Sequence, residues 1–225
     1  MLRLYDFLEP GNGYKVRLLL HRLDLPFQLV ERDITKGETR TPAFLAKNPN
    51  GRIPTLELED GTCLAESNAI LCYLAEGTPL WPTGRLARAR TLQWLFFEQY
   101  SHEPCIAVAR AWRHLFGLTP EREAQLPAKM KGGYQALDVM ERALTGRRFL
   151  VDDRFGVADI ALYAYTHVAH EGGFDLAWYP AVRAWLDRVA AEPRHVPITW
   201  RPDEAPLALD GRGDSGAPAA AEAPR

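Results

Sequence analysis

Cysteine is scarce and badly spaced for structural chemistry, since Cys63, Cys72 and Cys105 are odd in number and form no C-x-x-C pair. That argues against a disulfide framework, a zinc ribbon and a dithiol redox centre of thioredoxin type, and a reducing, cytoplasmic setting fits best. An excess of charge of one sign is also lacking. The 27 basic residues face 29 acidic ones, a formal net charge of −2, so no broad basic field exists to draw in nucleic acid or an anionic membrane. No uninterrupted apolar run approaches the roughly 20 residues needed to cross a bilayer, and the N-terminus reads at once as a strand rather than a signal peptide. The motif H-E-x-x-H is absent, and His167 and His170, spaced i, i+3, have no third ligand in view, so no metal is expected.

What is present suits a globular protein. A chain of 225 residues, 47% hydrophobic and 25% charged, can bury one large core or two modest ones. Residues 2–7 alternate as a strand, and Pro10-Gly11-Asn12-Gly13 then breaks the pattern. A helical period follows, with Val16, Leu19, Leu20 and Leu23 on one stripe, ended by Leu25-Pro26 before residues 27–31 alternate again. This is a βαβ unit. Thr41-Pro42 reads as an N-cap with proline at the first helical position, opening a short helix that runs to Lys47 and closes at Asn48-Pro49-Asn50-Gly51. Residues 55–58 and 62–65, joined by Asp60-Gly61, form a predicted hairpin. Glu66-Ser67 opens another helix. The order βαβ-α-ββα predicts a thioredoxin-like α/β N-terminal domain over 1–77 and a linker over 78–84 pinned by Trp81.

From residue 85 only helical patterns remain, at about 85–116 with a kink at Pro104, 121–144, 157–170 and 180–192, which predicts an all-α C-terminal domain over 85–202. Residues 157–168 are apolar on nearly every face, as a central bundle helix would be. Residues 203–225 turn to Pro, Ala, Gly and Asp with few large apolar groups, and disorder is expected there.

Three motifs carry a resemblance. Asn48-Pro49-Asn50-Gly51-Arg52-Ile53-Pro54, then Glu66-Ser67-Asn68-Ala69-Ile70-Leu71, then Gly156-Val157-Ala158-Asp159-Ile160-Ala161 stand in the order found in cytosolic glutathione S-transferases. The resemblance covers roughly residues 1–200. Around Pro10-Gly11-Asn12-Gly13-Tyr14-Lys15 the chain is most similar to bacterial nu-class disulfide-bond reductases. The resemblance implies a glutathione S-transferase architecture and a homodimer. It also implies an enzyme of detoxification type that uses glutathione as co-substrate and carries its thiol to an electrophile, a disulfide or a peroxide. The alternative is a non-catalytic relative that binds glutathione, apolar ligands or a partner.

Each motif has a physical counterpart. An X-Pro bond entering a strand can be cis, which would leave Ile53, ahead of Pro54, to pair with the cysteinyl backbone of glutathione. Ser67 at a helix N-terminus suits the γ-glutamyl carboxylate, and Glu66 the adjacent ammonium. Thr39, Arg40 and Arg52 fall where the family reaches the glycyl carboxylate, with Arg52 weighted above Arg40. For the catalytic donor to sulfur the candidates are Asn12 and, as runner-up, Tyr14. An Asn amide can donate to a thiolate, yet asparagine between glycines is also an ordinary turn residue. Tyr14 can equally be an aromatic at the domain interface. Tyr100, Ser101, His102 and Trp112 are the expected wall of the acceptor pocket, with Trp94 and Phe97 in the core. Asp159 matches the family's helix-capping aspartate, although Gly156 stands where a Ser or Thr is usual.

Overall fold

The computed structural model describes residues 1–202; the disorder expected for 203–225 lies outside them. Strand β1 (Leu2–Asp6), helix α1 (Gly11–Arg22) and strand β2 (Phe27–Glu31) make the βαβ unit, with β1 and β2 parallel. Two short 3₁₀ turns, Ile34–Lys36 and Glu38–Arg40, lead to α2 (Pro42–Leu45), where the Phe44 N–H donates to the Thr41 hydroxyl at 3.3 Å. This helix stops two residues before the expected Lys47. The hairpin of β3 (Thr55–Glu57) and β4 (Cys63–Ala65) is antiparallel and joins the sheet in the order β2-β1-β3-β4. Helix α3 (Ser67–Ala75) completes the thioredoxin-like layer.

The predicted stripe of α1 is buried at Val16, Leu19 and Leu20, but burial extends to Tyr14, Lys15 and Arg17 as well. The helix is sheathed, lying between the sheet, α3 and the central helix α7 (Val157–Thr166). Two glycines allow that closeness. A Cβ on Gly13 would sit 1.6 Å from an Asp6 carboxylate oxygen, and one on Gly11 would sit 2.8 Å from the Ala164 carbonyl oxygen and from the Tyr165 ring. Arg17 compensates Asp6 with an ion pair of 2.9 Å and spends its other donors on the carbonyls of Leu8, Ile198 and Trp200. One buried guanidinium therefore ties the end of β1 to the last described residues.

The helical part begins with α4 (Arg85–Phe97), continues without a break through the π-helical segment Glu98–His102 into α5 (Glu103–Arg110), and ends in a second π-helical segment, Ala111–Leu115. At Pro104, where a kink was expected, the turn just before the proline widens into the π segment. Proline lacks an N–H and its ring collides with the carbonyl four residues back, and a π turn relieves both. Helices α6 (Pro120–Leu144), α7 and α8 (Pro180–Ala190) complete the bundle. All ten residues of α7 are buried, as its apolar sequence requires. No helix among the described residues is long and apolar enough to cross a membrane.

Asp159 anchors α7 from the centre of the core. Fully buried, it accepts from the Gly156 N–H (3.0 Å), the Leu150 N–H (3.1 Å) and the Trp185 indole N–H (2.9 Å). Gly156 has no side chain to return a bond, but a Cβ there would lie 3.0 Å from the Leu80 carbonyl oxygen, which instead accepts from the Val157 N–H. The glycine thus lets the linker, with Leu80 and Trp81 buried, lie against the head of α7. Replacing Asp159 by Ala strands three buried donors, and urea unfolding should show a loss of about 3 kcal/mol or more. A loss below about 1 kcal/mol would mean that these bonds contribute little.

Candidate functional site

A cleft of about 410 Å³ opens between the sheet domain and the helices, and a smaller cavity of about 60 Å³ adjoins it. Asn12, Arg52, Ile53 and Glu103 line both.

The loop that carries the Asn-Pro-Asn-Gly motif is fastened by Asn48, whose side-chain amide donates to the Arg52 carbonyl (2.8 Å) and the Thr55 hydroxyl (3.1 Å). Gly51, at φ +60°, lies so close to the Thr39–Arg40 turn that a Cβ would meet the Arg40 guanidinium at 2.6 Å. This brings Thr39, Arg40 and Arg52 to one end of the cleft, with Arg40 also donating to the Asn50 carbonyl at 3.0 Å. The Ile53-Pro54 peptide bond is cis. Glu66, Ser67 and Pro54 line the smaller cavity. Glu66 takes φ +66°, a conformation that non-glycine residues adopt at a cost of about 1–3 kcal/mol and that clusters at ligand sites. It stands in the N-cap position of α3, and Ser67 is the first helical residue rather than the cap.

Behind Asn12 lies a residue the sequence reading passed over. Lys15 is fully buried, 2.8 Å from a Glu98 carboxylate oxygen, 2.8 Å from Asn12 Oδ1 and 3.3 Å from Ser67 Oγ. An ammonium can only donate, so the Asn12 atom facing it must be oxygen. Ser67 adds a second donor to that oxygen at 3.3 Å. The amide NH₂ of Asn12 is thereby left for the cavities that the residue lines. Its backbone N–H donates to the Tyr165 hydroxyl at 3.2 Å. The only signal for Lys15 in the sequence was its spacing, i, i+3 from Asn12 and adjacent to the apolar Val16.

Glu98 is the counterpart of Lys15, and it also accepts from Asn68 (3.0 Å) and Gln99 (2.9 Å). Glu103, at the start of α5, has its carboxyl held above the usual range, by burial first and the Glu98 charge second. Lys15, Asn12 and Arg52 oppose that rise.

Five of the expected site residues stand elsewhere than the sequence suggests. Tyr14 is not available to a thiol: it is fully buried, its hydroxyl donates to the Val196 carbonyl at 2.6 Å, and burial drives its pKa up. The residues expected to wall an acceptor pocket also stand apart from the cleft. Tyr100 is 88% exposed and does not border the cleft, while His102 is fully buried against the Thr166 hydroxyl at 2.9 Å, its pKa lowered to about 4 chiefly by desolvation. Ser101 and Trp112 are half-buried outside the cleft lining. The wall is formed instead by Glu103, Ala107, Arg110 and Ala111, with Phe116 and Tyr165. The cause is rotation: each helical residue turns the side chain by about 100°, and the π segment before Pro104 adds a further slip.

Among known proteins, residues 1–76 match the glutathione S-transferase N-terminal domain and residues 94–193 the glutathione S-transferase C-terminal domain. The chain is 32% identical over 201 residues to the disulfide-bond oxidoreductase YfcG of Escherichia coli K12, covering 86% of this chain and 92% of that protein. A crystal structure of a glutathione S-transferase from Pseudomonas fluorescens Pf-5 superposes with a TM-score of 0.86 at 55% identity, covering 88% of this chain and 98% of the other. The yeast protein Ure2p in complex with glutathione superposes with a TM-score of 0.77 at 26% identity, covering 86% and 90%.

The Lys15–Glu98 pair yields a prediction independent of any ligand. Lys15→Met leaves a buried carboxylate uncompensated and should cost about 3–5 kcal/mol in equilibrium unfolding, whereas the double variant with Glu98→Leu should regain most of it. A double variant no more stable than the single one would contradict the pairing.

Proposed function

Because the chain belongs to the glutathione S-transferase family, with bacterial and nu-like members among its relatives, we propose that it binds reduced glutathione along the joined cavities and activates its thiol with Asn12. The observation that carries this reading is the fixed amide of Asn12: Lys15 and Ser67 hold its oxygen, so its N–H groups are turned toward the cavities. A simple thiol ionises near 8.5. A donor placed in advance beside the sulfur favours the thiolate without reorganising when charge appears.

The rest of the tripeptide follows the lining residues in order. Arg52 and Arg40, with Thr39, take the glycyl carboxylate; the Ile53 backbone pairs with the cysteinyl residue; Ser67 at the head of α3 and Glu66 take the two ends of the γ-glutamyl group. The thiolate then meets an electrophile, a disulfide or a peroxide held against Ala107, Ala111 and Phe116. The binding of glutathione by Ure2p supports this ligand, and the oxidoreductase YfcG supports reaction with disulfides. Three unpaired cysteines among the described residues fit a cytoplasmic location.

A homodimer is part of the same reading. Leu92, Phe96 and Tyr100, spaced i, i+4, i+8, expose 38%, 70% and 88% of their surface along one helical face, an apolar stripe suited to a second copy. Phe96→Glu should shift the chain to monomer in sedimentation equilibrium, and a parent chain that is itself monomeric would refute the dimer.

Ultraviolet titration of bound glutathione tests the catalytic claim. The parent should show a thiol pKa below that of free glutathione, and Asn12→Ala should raise it by about one to two units, the worth of a hydrogen bond to a charged group. Ser67→Ala should instead weaken glutathione binding. An unshifted thiol in the parent, or inactivity toward chlorodinitrobenzene, a mixed disulfide and cumene hydroperoxide despite tight binding, would refute the enzymatic reading.

A further inference from the structure

The two glutamates near Asn12 occupy different settings. Glu98 is fully buried and ion-paired with Lys15, its carboxylate taken further by Asn68 and Gln99. Glu103 is half-buried, borders both cavities and makes no ion pair among the described residues. The groups that face it come from every neighbouring element: Lys15 from α1, Arg52 from the loop before β3, Glu98 from the π segment, Tyr165 from α7, and Cys105 from its own helix, with Arg110 and Glu66 on the cavity walls. Two carboxyls whose surroundings differ in this way are the usual arrangement for one fixed charge and one proton carrier.

Asn12 and Glu103 line the same two cavities, so a thiolate held by the Asn12 amide would lie near this carboxyl. Two anions in one cavity repel, which favours passage of the thiol proton to that carboxyl. Resting on the glutathione reading above, we propose that Glu103 is a catalytic acid–base that takes the thiol proton of glutathione and returns it to the leaving group of a hydroperoxide or disulfide.

The atoms balance. The S–H bond of glutathione breaks, its proton passing to a Glu103 oxygen and its electron pair staying on sulfur. The thiolate attacks the terminal oxygen of a hydroperoxide; an S–O bond forms as the O–O bond breaks, sulfur is oxidised by two electrons and the peroxide is reduced. The departing alkoxide takes the proton from Glu103 and leaves as alcohol, restoring the carboxylate. The sulfenic product condenses with a second glutathione to give glutathione disulfide and water. With a disulfide substrate the leaving thiolate takes the proton in the same way. Chloride leaving an arene needs none, so conjugation draws on Glu103 only for the first transfer, whereas hydroperoxide and disulfide reduction draw on it for both.

The test compares substrates in the full chain. Turnover of cumene hydroperoxide and of chlorodinitrobenzene is measured against pH for the parent, Glu103→Gln and Glu103→Asp, with glutathione binding and thermal unfolding as checks on integrity. In Glu103→Gln the ratio of hydroperoxide to chloroarene turnover should fall about 100-fold, the usual worth of a positioned acid. The parent's hydroperoxide rate should decline on the alkaline side as Glu103 loses its proton; that limb should vanish in Glu103→Gln and return, displaced, in Glu103→Asp. Should the amide variant not fold, the aspartate carries the test through the displaced limb and a reduced ratio. An unchanged ratio, an equal loss of both activities, or a parent that conjugates chloroarene but does not reduce hydroperoxide overturns the role of Glu103 alone. A parent that turns over no substrate overturns the glutathione reading and this proposal with it.

Discussion

A buried ammonium sets the terms for the rest of this site. Lys15 is removed from water on a helix packed on all sides, and a charge in that position is tolerated only when it is paired and fully hydrogen-bonded. Its three donors reach a carboxylate from the π segment, an amide from the first turn of α1 and a hydroxyl from the first turn of α3. Three elements far apart in the chain are drawn to one point. The amide loses its freedom to flip, because its oxygen is the only end to which the ammonium can donate.

Close packing makes that convergence possible. α1 can settle against the sheet because Gly13 lies where any side chain would collide with Asp6, and against α7 because Gly11 lies beneath the Tyr165 ring. Arg17 then seals the far side by binding Asp6 and three carbonyls. The two cations of α1 thus have separate tasks: Arg17 joins the end of β1 to residues 198–200, and Lys15 holds the polar floor of the cleft.

The opposite wall is governed by the helix running from Arg85 to Leu115. Its π segment absorbs the conflict created by Pro104, and the extra residue in that turn decides which side chains look into the cleft. Glu103 is brought round to the cavities that Asn12 lines and His102 is turned into the core, where Thr166 takes its ring nitrogen. Glu98 and Glu103 thereby come to face Asn12 from the same helix with different surroundings, one neutralised by Lys15 and the other bordering open cavities.

The architecture and the lining of the two cavities were legible in the sequence. The periods of the strands and helices, the Asn-Pro-Asn-Gly-Arg-Ile-Pro run and the Glu-Ser pair are local signals, and the residues they nominate, Thr39, Arg40, Arg52, Ile53, Pro54, Glu66 and Ser67, line the two adjoining cavities. Asn12 was legible for the same reason, standing just after the Pro10 break, although it falls in the first turn of α1 rather than in a loop before it. Only the tertiary structure decided that Tyr14 is sealed in the core, that Lys15 lies buried behind Asn12, and that Glu103 rather than Tyr100, Ser101, His102 or Trp112 faces the cleft. The reason is physical. Local patterns fix whether a segment is helical, but the rotation of a long helix depends on a non-local balance of packing, proline sterics and buried charge, and a shift of one residue turns the side chain to another face.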